Sequence, residues 1–102
     1  MAATLTGSEK QISWAEQIRG NFIRQSEMLA ARVSAGQISW IHPRVRGRFV
    51  ILVQEISTSF AEKTTSAKAW IDHKDLGTAS GVEAFFVARL KRDPEAQQAL
   101  AS

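Results

Sequence analysis

The sequence contains no cysteine among its 102 residues. That excludes disulfides, a thiolate nucleophile and any zinc–thiolate site, and it suits a reducing compartment. Long apolar runs are also missing. Uninterrupted stretches such as Phe49-Val50-Ile51-Leu52-Val53 stay far below the ~20 residues needed to span a bilayer. The N-terminal Met1-Ala2-Ala3-Thr4-Leu5 lacks the basic region and apolar stretch of a signal peptide. There is no phosphate-cradling glycine loop, no metal-binding carboxylate pattern and no glycine-framed nucleophilic serine. Internal repeats and low-complexity linkers are absent as well. These absences lead to an expectation of a cytoplasmic, non-enzymatic protein with no membrane contact, no cofactor and no metal.

What is present fits one helical domain over residues 1–102, with residues 1–7 expected to be flexible. Hydrophobic content of 44% and charged content of 23% are ordinary for a globular chain. The formal charge is +3, and its location is uneven. Residues 37–50 hold Arg44, Arg46 and Arg48 and no acid, while the rest of the chain carries 10 Lys/Arg against 10 Asp/Glu. The excess is a local patch rather than a general basicity.

Ser8 followed by Gln11 is a capping-box pattern, with Glu9 well placed for the helix dipole. Ile12, Ala15, Ile18, Phe22, Leu29 and Val33 then recur at helical spacings up to a stop near Gly36. Gly20 is the weak point within, and predicts a bend or a close helix crossing. Residues 37–47 read as a connection, with Pro43 turning His42 away from helix and Ile38, Trp40 and Ile41 making it a loop that packs. Phe49 to Val53 alone has the look of a buried strand. Together with Ile56 and Phe60, however, Phe49, Leu52 and Val53 form a helical stripe, which predicts a helix over about 48–63.

Further on, Thr64-Thr65-Ser66 offers an N-cap for a short helix over about 67–73. Ser80 with Glu83 forms a second capping-box pattern ahead of Val82, Phe85, Phe86 and Leu90. Asp93-Pro94 starts a last short helix, since Asp suits the N-cap and Pro the first helical position. The expected fold class is all-α, a compact bundle of four to five helices with a long N-terminal helix. If that first helix overhangs the bundle, Phe22, Leu29 or Val33 would be exposed unless a second subunit covered them, so a homo-oligomer is also expected.

Thr6-Gly7-Ser8-Glu9-Lys10-Gln11, followed by Trp14-Ala15-Glu16 and Ile18-Arg19, resembles an N-terminal signature of small uncharacterised bacterial proteins of phage and plasmid type. Such proteins tend to carry a second element, Ala-x-x-Trp-Ile-Asp, and Ala67-Lys68-Ala69-Trp70-Ile71-Asp72 looks like it. The likeness covers about a quarter of the chain and departs where a basic residue often follows the Asp, since here His73-Lys74 stands. It implies a mobile-element setting and co-packing of the two tryptophan segments, and it transfers no activity. Each indole suits a core or subunit contact, with ligand stacking as the alternative.

His42 and His73 lack an i, i+4 partner and make a poor zinc set. Asp72-His73-Lys74-Asp75 reads as a solvated cluster. The sharper candidate is Trp40, His42, Arg44, Arg46 and Arg48. In an extended backbone the alternate arginines form a positive row beside an indole. Such a row fits an acidic surface on a partner protein, phosphates of a nucleic acid, or a merely solvated loop. The expected function is a protein–protein interaction module of phage or mobile-element origin, in its most specific form an inhibitor of a host defence complex. The partner would be a host or phage protein, with a nucleic-acid-binding accessory protein as the alternative.

Overall fold

A computed structural model describes residues 4–39 and 41–101. Among them the chain is all-α, with five helices and two 3-10 turns. Helix α1, Glu9–Ser34, opens as the capping pattern requires. Ser8 Oγ accepts from the Gln11 N–H at 3.3 Å, and Gln11 Oε1 accepts from the Ser8 N–H at 3.1 Å. It closes on Gly36, whose φ of 73° lies in the left-handed region that favours glycine. The Gly36 N–H reaches the Val33 carbonyl and the Gln37 N–H that of Arg32, both at 3.0 Å, satisfying two carbonyls of the last turn. Gly20 neither interrupts the helix nor marks a crossing, because nothing lies within 4 Å of where its Cβ would be.

Helix α2, Arg46–Lys63, follows a 3-10 turn at Pro43–Val45 and begins two residues before the position expected from the stripe. The helical reading wins over the strand because Phe49, Leu52 and Val53 all turn inward together, which alternation in a strand would forbid. Helix α2 runs antiparallel to α1, with Val50 and Val53 near Ala30 and Ser34, and Ala61 near Ile23. Helix α3, Ala67–Asp72, is capped by Ser66. After a 3-10 turn at Lys74–Gly77 comes α4, Ala79–Arg92, then α5, Pro94–Ala101.

The start of α4 corrects the sequence reading. Its cap is Thr78, not Ser80: the Thr78 hydroxyl accepts from the Gly81 N–H at 3.1 Å and donates to the Asp75 carbonyl at 2.8 Å. The earlier start lets Gly81 press against the preceding turn, where a Cβ would stand 1.9 Å from the Asp75 carbonyl oxygen. Only glycine fits there.

Phe22 sits at the centre of the core, fully buried. Its ring meets Phe60 at 5.5 Å, Trp70 at 5.6 Å, Phe85 at 5.9 Å and Phe86 at 6.1 Å, distances typical of offset and edge-on aromatic contacts. The buried Trp70 donates its Nε1–H to the Thr64 carbonyl at 2.9 Å, so the one polar atom of the indole is satisfied. Trp14 does not share this core. It is 50% exposed, because Ala15, Ile18 and Phe22 take the inward face of α1. Trp70 of α3 packs against α1 through Phe22, which lies beyond residues 6–19, and not against Trp14.

Leu29 and Val33 are buried within the same chain, alongside Ile38, Ile41 and Val45 of the connection and Phe49 of α2. The overhang that motivated a second subunit is therefore not present: the connection folds back and covers the end of α1. Residues 4–7, part of the segment expected to be flexible, make contacts with the rest of the fold. Leu5 is buried, the Thr6 N–H donates to the Thr65 carbonyl at 2.8 Å, and the Ala67 N–H donates to the Thr6 carbonyl at 2.9 Å. The part of that expectation concerning residues 1–3 lies outside the described residues.

Candidate functional site

The arginine segment is helical, so the extended backbone on which a one-sided row depends is not present. His42 is the reason it turns: its backbone is extended, its Nδ1 accepts from the Arg44 N–H at 3.1 Å, and Pro43 supplies the first position of the turn. Val45 is driven into the core, so Arg46 and Arg48 fall in the first turn of α2. Two residues apart on a helix means about 200° of rotation, so these two side chains leave on opposite flanks. The row is dispersed.

Each arginine then has its own surroundings. Arg48 binds Asp93 through Nε to Oδ2 at 2.8 Å and Nη2 to Oδ1 at 2.9 Å, and its Nη1 lies 3.5 Å from Glu95. Asp93 is almost fully buried and also accepts the Ala96 N–H at 2.9 Å, capping α5. The guanidinium holds the Asp93 carboxyl below the ordinary carboxylate range, and the carboxylate in turn raises Arg48 above the usual arginine value. Arg46 is half-buried beside Gly36: a Cβ there would meet its guanidinium atoms at 3.6 Å. That sets a cation against the C-terminal end of α1, where the helix dipole favours it. Arg44 and His42 are exposed, and Trp40 lies outside the described residues. Of the five candidates, then, Arg48 is committed to Asp93, Arg46 lies beside Gly36, and Arg44 and His42 are exposed.

His73 ends α3 with its backbone N–H in the last turn, and Asp72 pairs with Lys68 at 3.1 Å. Both His73 and Asp72 are exposed. Among the described residues, no group of three or more His, Asp or Glu is arranged to hold a metal ion. No described helix is long and apolar enough to cross a membrane.

A different surface emerges from the packing. Helices α3, α4 and α5 sit on one side of the α1–α2 pair, and the opposite side is an open groove. Its floor is Ile23, Ala30, Val50, Val53 and Ala61, and its two depressions share Glu27, Gln54 and Ser57, so they form one continuous channel. The sequence carried a faint signal of it. Ser26, Ala30, Ser57 and Ala61 are small residues at helical spacing, interleaved with the larger stripe that points to the core. Ser26 is buried, with its hydroxyl satisfied by the Phe22 carbonyl at 2.7 Å, so the floor is closed without an orphaned polar group.

No family model matches the chain, and no curated protein or solved structure matches it either.

Proposed function

We propose that this chain is a small protein-interaction module that works by occupying a surface of a partner protein, without turnover of a substrate. The observation that carries this reading is the open face of the α1–α2 pair. Ala30, Val53 and Ala61 close the floor between α1 and α2, and Ile23 and Val50 remain half-buried, so a narrow apolar line stays accessible on the side that α3, α4 and α5 leave open. The groove is shallow and open along its length, unlike the enclosing clefts that small molecules favour. The resemblance of residues 6–19 to phage and plasmid proteins supports a host or phage protein as the partner, with inhibition of a host defence complex as the specific form.

The reading is tested by capture from a bacterial lysate with three baits: the natural chain, an Ala31→Gln/Thr58→Gln variant, and an Arg44→Ala/Arg46→Ala variant. Ala31 and Thr58 are exposed in the groove, so glutamine fills it without disturbing the core. A protein retained by the natural chain and lost from the groove variant supports the proposal. Identical retention by both overturns it.

A second reading rests on the tip of the molecule. Residues 37–50 contain three arginines and no acid, and Arg44 is exposed there. A nucleic-acid backbone would meet that charge, with binding that falls steeply as salt rises. A gel shift that is absent at low salt, or unchanged in Arg44→Ala/Arg46→Ala, removes this reading.

A further inference from the structure

The groove has a charge that the chain as a whole does not. The protein carries +3, yet the charged side chains lining the groove are Glu27 and Glu62, with no lysine or arginine among the described residues that line it; Glu55 on the adjoining ridge of α2 faces Lys63 and Arg89 instead. Glu27 and Glu62 make no ion pair among the described residues. One stands on α1 and the other on α2, so the negative charge borders an apolar floor from both sides.

The dimensions fit a helix. The channel runs from Ile23 to Ser34 along α1, about 16 Å at helical rise, which is three turns. Small residues line much of it, Ala30 and Ala61 in the floor and Ala31, Ser34 and Ser57 along the sides. Small side chains allow helix axes to approach to the short end of the ~8–10 Å range seen in packed helices. A third helix lying there would add its apolar stripe to the half-buried Ile23 and Val50, and its flanking side chains would pass beside Glu27 and Glu62. Acidic flanks would bring like charges together at the edge of a desolvated surface, whereas lysine or arginine would pair with them.

We infer that the α1–α2 groove receives an amphipathic helix of a partner protein with an apolar stripe flanked by lysine or arginine, selected by Glu27 and Glu62. The inference rests on the protein-interaction reading and specifies the chemistry of what binds. Recognition of this kind places apolar anchors one helical turn apart, with charge setting polarity and encounter rate.

Two synthetic helical peptides with the same length and the same leucine–alanine face test it, one flanked by lysine and one by glutamate. Each is titrated into the isotopically labelled full chain, with amide shifts mapping the contact. The lysine peptide should shift residues of α1 and α2 around the groove and bind at least about tenfold more tightly than the glutamate peptide. That preference should shrink with added salt and in Glu27→Gln/Glu62→Gln. Binding of both peptides with equal strength, a preference untouched by Glu27→Gln/Glu62→Gln, or binding of neither peptide overturns the inference. Its failure is distinct from that of the parent reading: groove-dependent capture of a protein together with no charge preference leaves a docking face whose occupant is not basic. Capture independent of the groove removes the face itself.

Discussion

Arg48 grips both carboxylate oxygens of Asp93, 45 residues further along the chain, while one of those oxygens also caps α5. A single carboxylate therefore fixes the start of one helix to the start of another. Bidentate, charge-assisted contacts of this kind are the stronger class of side-chain hydrogen bond. Arg48→Ala should lower the melting temperature more than Glu95→Ala, because Glu95 is exposed and only 3.5 Å from one guanidinium nitrogen. Thermal melts of the two variants compare them directly. Equal losses would mean that the Arg48–Asp93 contact adds nothing beyond an exposed ion pair.

The same pair sets a pH dependence. Asp93 is held below its ordinary value by Arg48, so its contribution to stability is present above the unfolded-chain pKa of ~3.9 and is lost as pH falls through the depressed folded value. Asparagine at 93 caps a helix nearly as well and carries no charge. Asp93→Asn should therefore be less stable than the natural chain near neutrality, with the gap narrowing as the pH is taken below ~4. A gap that stays constant across that range would sink the assignment.

Gly20 and Gly81 should respond to alanine in opposite directions. Gly20 is exposed inside α1 with open space around it, so Gly20→Ala should stabilise by roughly 0.5–1 kcal/mol. Gly81 lies against the Asp75 carbonyl, and Gly81→Ala would place a carbon 1.9 Å from its oxygen. The turn at Lys74–Gly77 must then move, and the net effect should be destabilising. Urea unfolding of both variants provides the signs.

Phe22→Ala should cost about 3–5 kcal/mol, the range for emptying a large aromatic site in a packed core. Four rings touch Phe22, so the loss is not confined to one neighbour. Trp70 is buried beside it and supplies the optical readout: its emission should shift to the red as the space admits water. Retention of the natural unfolding midpoint would show that the cluster is not the centre of the core.

The helices were legible where their signals were local. Ser8 with Gln11, Gly36, Ser66 and Asp93-Pro94 each marked a boundary through a side chain or a φ angle that acts within a few residues. Thr78 was missed because the choice between it and Ser80 depends on the Asp75 carbonyl meeting Gly81, a contact across a turn. The candidate site was less legible for the same reason. Whether Arg44, Arg46 and Arg48 form a row depends on backbone conformation, and His42 and Val45 made it helical. The partners of Arg48 lie at the junction of α4 and α5, far along the chain. Trp14 resembled a core anchor by type, yet Ala15 and Ile18 beside it settle which face of α1 turns inward.

The backbone contacts of Thr6 with Thr65 and Ala67 give the molecule an order of assembly. They clasp positions 59 residues apart, and such a closure is entropically expensive until other contacts have already drawn its ends together. Helix α3, at six residues, is too short to persist alone. It should take shape once the antiparallel pair has formed and the clasp shuts over it. Opening should run the other way, with the amides of Thr6 and Ala67 exchanging with solvent well before those of α1 at Phe22. Faster exchange at Thr6 and Ala67 would make the first described residues of the chain the last to join the fold.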